Sequence, residues 1–271
     1  MNDSVATRGD RRLHFQLHGE PATDSGRRPL VLIPGLGGGS KLFGTLPRRF
    51  AREGFQTLTF DPVGIPPSSD FEGEFDFSAA AADLEAVLNT AGLGEVDLVG
   101  TSLGGKVSLQ FVHDRPDRVR RLVLLASSAV VSPRARRVYR FFERVAATIA
   151  PEDFATVVAP FLFGATFHNE RTQVVDDIAR ATRPTESTRR LMTAQARALQ
   201  DFDGMLLTPR IDHSVLCCAG LEDTLTDPAD VRATAAALRH GELAEFERAG
   251  HSLLLEDKTV YDRTVEFLTA H

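Results

Sequence analysis

Residues 97–110 read DLVGTSLGGKVSLQ, an apolar run that meets one serine among glycines and continues as an amphipathic run. The stretch EVDLVGTS has the length and apolar content of a strand buried on both faces, and Leu103 to Arg115 has helical spacing. Ser102 therefore stands directly between a strand and a helix. In such a turn the serine's backbone is strained, and small residues two before and two after it let strand and helix approach closely. Gly100 and Gly104 fill those places, and Gly105 adds room at the helix start. The helix N-terminus also directs free N–H groups and the positive end of its dipole at the hydroxyl. A bare GxSxG occurs by chance in many chains, so its meaning depends on what surrounds it.

Upstream, RLHFQLHG alternates strictly, with Leu13, Phe15 and Leu17 on one face and His14, Gln16 and His18 on the other, as a half-buried strand does. RPLVLIPG, FQTLTFDP and, downstream, RVRRLVLLASS are short apolar runs closed by turn residues, and helical patterns cover Phe43–Arg52, Ser78–Ala91 and Leu103–Arg115. This rhythm predicts an α/β fold with a mostly parallel, twisted sheet covered by helices. The rhythm breaks after Ser128 and resumes at HSVLCCAG, residues 213–220. Between them every pattern is helical. Pro133–Ile149 puts Val138, Phe141, Phe142, Val145 and Ile149 on one face and Arg137, Arg140 and Arg144 on the opposite one; Pro151–Phe163, Asn169–Ala181 and Thr185–Phe202 follow. The expected division is a core of residues 1–128 and 213–271 with a helical cap, residues 129–212, inserted between two sheet strands and lying over their carboxyl ends. A helix over Pro228–Leu238, a strand in GELAEFERAG and a last helix from about Leu254 complete the chain.

With 271 residues the chain can bury a full hydrophobic core, and its 42% hydrophobic and 25% charged residues are ordinary for a globular domain. A net charge of −6 argues against nucleic-acid binding, which needs a basic footprint. The chain has no apolar run of membrane-spanning length and no apolar leader in MNDSVATRGDRR. The adjacent Cys217 and Cys218 suit reduced core residues of a strand, which points to a cytoplasmic location. His14 and His18 suggest a metal pair, but on a strand they lie about 13 Å apart and read as solvent-facing. GLGGGS nearly imitates a dinucleotide fingerprint, yet Ser40 replaces its last glycine and Pro34 interrupts the entry from the strand. Neither a metal nor an organic cofactor is expected.

A serine hydroxyl is a weak nucleophile without a base and a group to orient that base. Of the eight histidines, His251 in ERAGHSLLLEDK follows the last predicted strand, on the sheet edge that carries Ser102. LCCAGLEDTLTDP offers Glu222, Asp223 and Asp227 just past the preceding strand, and Asp223 is the expected acid with Glu222 its rival. Asp61 reads as a residue that ties down its own turn.

With IPGLGGGS, GTSLGG, GLEDTLTDP and GHSLLLE in this order, the chain resembles the α/β-hydrolase family from about residue 12 to its end. The resemblance implies Ser102 as nucleophile, His251 as general base and acid, Asp223 as the orienting acid, and the backbone N–H groups of Leu36 and Leu103 as an oxyanion hole. Two departures stand out. Many members have His-Gly where this chain has Pro34-Gly35, and DPVGIPPSSD replaces the common DxRGxGxS turn, with Val63 in place of its arginine. The implied activity is a serine hydrolase that cleaves an ester-like acyl bond of a largely apolar small molecule through an acyl-enzyme. The alternatives are a thioesterase on a carrier-protein or coenzyme A thioester, a carbon–carbon bond hydrolase, or a ligand-binding or cyclase member without acyl chemistry. Residues 129–212 carry twelve arginines and no lysine against ten carboxylates, so an acidic carrier protein is a further expected partner. No membrane partner is expected.

Overall fold

The computed structural model describes residues 2–21 and 27–270. His271 lies outside them. In chain order the strands are β1 (Asn2–Arg8), β2 (Arg11–His18), β3 (Leu30–Ile33), β4 (Thr57–Phe60), β5 (Val96–Thr101), β6 (Val119–Leu125), β7 (Ser214–Gly220) and β8 (His240–Phe246). They form one sheet in the order β1-β2-β4-β3-β5-β6-β7-β8. The β1–β2 and β2–β4 pairs are antiparallel and all the others parallel.

The central strands are mainly apolar because both of their faces are covered; Asp97 near the start of β5 is buried and accepts from Arg120 Nε of β6 at 3.0 Å. Along β3, Val31 and Ile33 enter one hydrophobic cluster while Leu30 and Leu32 enter the other, and along β6 Leu122 and Leu124 alternate in the same way with Val123 and Leu125. Cys217 and Cys218 of β7 follow the same alternation, so the neighbouring thiols lie on opposite faces, buried and unbonded. Burial pushes the Cys217 thiol up to about 12, and the Cys218 thiol is pushed up as well. The first layer is completed by α2 (Phe77–Thr90), α3 (Leu103–Asp114) and α9 (Pro228–Ala237), and the second by α1 (Leu46–Arg52) and α11 (Lys258–Thr269). A short turn of helix, α10 (Leu253–Glu256), precedes α11.

Between β6 and β7 lie α4 (Pro133–Thr148), α5 (Pro151–Leu162), α6 (Ala165–Glu170), α7 (Thr172–Ala181) and α8 (Glu186–Asp201). Pro133 opens α4 behind the Ser132 side chain, which accepts a hydrogen bond from the Ala135 N–H. The buried face of α4 is Ala135, Tyr139, Phe142, Val145 and Ala146. Phe141, expected on that face, is 39% exposed and packs its ring on Phe161 instead. Arg137, Arg140 and Arg144 are exposed as expected. Among the described residues no helix is long and apolar enough to cross a membrane.

Several boundaries differ from the sequence reading. Strand β1 was not expected; it pairs in full register with β2 across a tight turn at Gly9, whose φ is 61°. The helix expected over Phe43–Arg52 is broken at Gly44 (φ 50°) into a single 3-10 turn, Ser40–Phe43, and α1. The helix expected over Asn169–Ala181 divides at Arg171. The β2 histidines do not face open solvent as expected: His18 is buried, and His14 Nδ1 lies 3.0 Å from Asp61 Oδ2.

Candidate active site

Ser102 is held between β5 and α3 with φ 54° and ψ −119°, and Ala126 is the other non-glycine residue with positive φ among those described. Backbone bonds clamp this conformation. The Ser102 N–H donates to the Leu125 carbonyl at 2.8 Å, and its own carbonyl accepts from the Gly105 N–H at 3.0 Å. Such a backbone costs about 1–3 kcal/mol and persists only where the surroundings fix it. The glycines make the turn possible: a Cβ on Gly104 would come within 2.3 Å of the Ile33 carbonyl oxygen, and one on Gly100 within 2.7 Å of Gly105 Cα. Leu103 is the first residue of α3, so its N–H has no partner within the helix.

Asp223 and His251 follow the carboxyl ends of β7 and β8, on the sheet edge that carries Ser102 at the end of β5. His251 Nδ1 and Asp223 Oδ2 are 2.8 Å apart, and both residues are buried. The other carboxylate oxygen, Oδ1, accepts from the N–H groups of Leu225 (2.8 Å) and Thr226 (2.9 Å), which fixes the plane of the carboxylate. Burial alone would depress the imidazole, but the charge and hydrogen bond of Asp223, with Glu256 behind, outweigh it and raise the His251 pKa. Of the other acids considered, Glu222 turns away and accepts from the Thr166 N–H and hydroxyl, and Asp227 accepts from Ala229 N–H at the start of α9.

The loop after β3 turns at Gly35–Gly38, closed by the Gly38 N–H on the Gly35 carbonyl at 3.0 Å, with Gly37 at φ 65°. A Cβ built on Gly35 would lie 3.4 Å from Ser102 Cβ, so the loop that carries the Leu36 N–H runs beside the serine. Asp61 does more than tie its own turn. Its Oδ1 accepts from the N–H and hydroxyl of Ser40 at 2.7 and 2.8 Å, which anchors the far end of this loop. The near end is held from the insertion, where Gln195 Oε1 of α8 accepts from the Gly37 N–H at 2.9 Å and Met192 covers the Gly37 Cα. These contacts hold the loop that Pro34 opens.

The sequence reading singled out neither Gln195 nor two ionisable residues close to the site. Glu256 accepts backbone N–H groups on both sides of His251. Lys106, four residues past Ser102 on α3, is buried; its ammonium donates to the Ser128 carbonyl and lies 5.0 Å from the ring centre of Phe202. Burial pushes its pKa down to about 7, against a weaker upward pull from Asp230. A lysine inside an amphipathic helix pattern looks like an exposed residue, so no local signal marked it. No cluster of three or more His, Cys, Asp or Glu suited to a metal occurs among the described residues.

This arrangement, a strained serine at a strand–helix turn with an Asp–His pair on the same sheet edge, defines a class. The chain belongs to the alpha/beta hydrolase fold family, whose model matches residues 28–258. It is 27% identical over 259 residues to the RutD protein of Caulobacter vibrioides, to which carbamate hydrolysis is provisionally ascribed; the match covers 94% of this chain and 95% of that protein. Among solved structures, the enol-lactonase of Burkholderia xenovorans superposes with a TM-score of 0.87 at 22% identity, covering 98% of this chain and 100% of the other. A thermophilic esterase of Thermogutta terrifontis gives a TM-score of 0.82 at 21% identity over 98% and 97% of the two chains.

Proposed function

We propose that this protein is a serine hydrolase that cleaves esters of small, largely apolar acyl groups. The observation that carries the reading is the buried His251–Asp223 bond of 2.8 Å on the sheet edge where Ser102 holds a strained backbone. Ser102 Oγ attacks the ester carbonyl as His251 Nε2 takes its proton, while Asp223 holds the imidazole tautomer and balances the imidazolium. The N–H groups of Leu103 and Leu36 receive the oxyanion. The intermediate collapses to an acyl-serine as His251 hands its proton to the departing alkoxide. Water, deprotonated by the same imidazole, then releases the acid. The helical insertion serves as the cap.

The acyl preference is supported by a cavity of about 50 Å³ beside Gly35 and Leu103, walled by Phe60, Val63, Phe71 and Leu191. Gly35, next to Leu36, and Leu103 line it while Ser102 and His251 do not, and on that adjacency to the assigned oxyanion hole it is assigned to the acyl chain. Its polar rim includes Arg11, paired with Asp83 at 2.8 Å, together with Glu74 and Asp76, while apolar side chains make up most of its wall. Such a volume holds a few water-sized groups, hence a short chain.

A fluorophosphonate should label Ser102, and p-nitrophenyl butyrate should be hydrolysed with roughly tenfold higher kcat/KM than the decanoate. Ser102→Ala should abolish both labelling and turnover. A folded protein that takes no label and cleaves neither ester would overturn the reading in favour of a non-acyl member of the fold. Selective turnover of an acyl-carrier thioester would move it to a thioesterase.

A further inference from the structure

Glu256 sits at the last position of α10, five residues beyond His251, and its carboxylate meets three backbone donors at once. Oε2 accepts from the Gly250 N–H and the Gly164 N–H, each at 2.8 Å, and Oε1 accepts from the Ser252 N–H, also at 2.8 Å. A plain helix cap would account for the Ser252 bond alone. The other two tie the residue before His251 to the segment between α5 and α6 of the insertion.

That segment lies against the site with backbone on backbone. A Cβ on Gly250 would come within 2.2 Å of the Gly164 nitrogen, and one on Gly220, at the end of β7, within 2.3 Å of the Gly250 carbonyl oxygen. The Ser252 N–H also reaches the Leu162 carbonyl at 3.0 Å, and Thr166 is held by Glu222, the neighbour of Asp223. Two carboxylates thus fasten residues 162–166 to the turn that bears His251 and to the turn that bears Asp223.

We propose that Glu256 is a positioning residue whose carboxylate fixes the Gly250–Ser252 turn, and with it the direction of His251 Nε2, and couples that turn to the docking of the insertion at Gly164. The role rests on the serine-hydrolase reading for its effect on turnover, but not for its effect on His251. The negative charge of Glu256 also helps hold the His251 imidazolium, so removing it has a signature that loose docking lacks.

In Glu256→Gln, one end of the side chain becomes an N–H₂ facing N–H donors. On a short ester kcat should fall about 10- to 100-fold with KM nearly unchanged, because a misaimed base is felt in the transition state. The His251 ring, followed by NMR in the ligand-free protein, should titrate at lower pH than in wild type. Glu256→Asp keeps the charge but is too short to span the turn and Gly164 together. It should lower kcat with a smaller change in the His251 titration, and it serves if the glutamine variant does not fold. Glu222→Gln, which loosens only the other tie, should leave the His251 titration in place. Unchanged kcat and unchanged titration in Glu256→Gln would refute the assignment, as would equal losses in Glu256→Gln and Glu222→Gln with the ring's titration unmoved. If wild type cleaves no ester, the hydrolase reading fails, while the ring titration still decides whether Glu256 governs His251.

Discussion

Two carboxylates stand side by side after β7, and their different partners separate them. Asp223 has one oxygen on His251 and the other on two backbone N–H groups, whereas Glu222 spends both oxygens on Thr166. A base can accept a proton only while neutral, and His251 is raised above the ordinary 6.5, so kcat/KM should rise with pH through a midpoint above that value. Asp223→Asn removes the charge and, with the amide oxygen kept on the Leu225 and Thr226 N–H groups, turns an N–H₂ donor toward His251 Nδ1. It should lower kcat about 10³-fold or more and shift the remaining midpoint downward. Glu222→Gln should do neither. A larger loss in Glu222→Gln, read from the pH dependence of ester hydrolysis, would transfer the orienting role to Glu222.

Elements differ in how much of themselves they show in sequence. Strands β3, β5, β6 and β7 are legible because covering both faces demands apolar runs, and the turns after β5 and β7 draw attention to Ser102 and Asp223. His251 follows β8, a largely exposed edge strand that is legible from its position after α9 rather than from its apolar content. Strand β1 has no such demand. As an edge strand it buries Ala6 but leaves Val5 52% exposed, and its register comes from backbone pairing to β2. The groups that hold the site were hidden for a different reason: Gln195 meets Gly37 across 158 positions, and Glu256 meets Gly164 across 92, distances over which composition carries no information. The Gln195 contact makes a prediction about α8. Gln195→Leu should free the loop that carries the Leu36 N–H and leave the Gly37 N–H without its acceptor, lowering kcat about tenfold and the thermal midpoint by a few degrees. A change confined to KM would make Gln195 a substrate contact instead.

For the whole molecule, Lys106 is a cost that varies with pH. The unfolded chain keeps the lysine protonated up to its ordinary 10.5, whereas the folded protein releases that proton at about 7. Between those values the unfolded state binds more protons, so this group makes stability climb with pH; below about 7 the folded state carries the full cost of a buried ammonium. Lys106→Met should therefore raise the thermal midpoint by several degrees at pH 6 and by progressively less toward pH 10. A gain that is flat across this range would show that the lysine is not held against its charge.

The alternation of β7 has a consequence for how the protein can be watched as it comes apart. Cys217 looks into one layer and Cys218 into the other, and each thiol is held protonated and out of reach of solvent. Alkylating reagents therefore find nothing to attack on the intact molecule, and the chain can be handled in air without crosslinking through its thiols. When a reagent does mark one of the two neighbours, the tagged position names the layer that opened, so a pair of residues adjacent in sequence works as two independent gauges on opposite sides of the sheet.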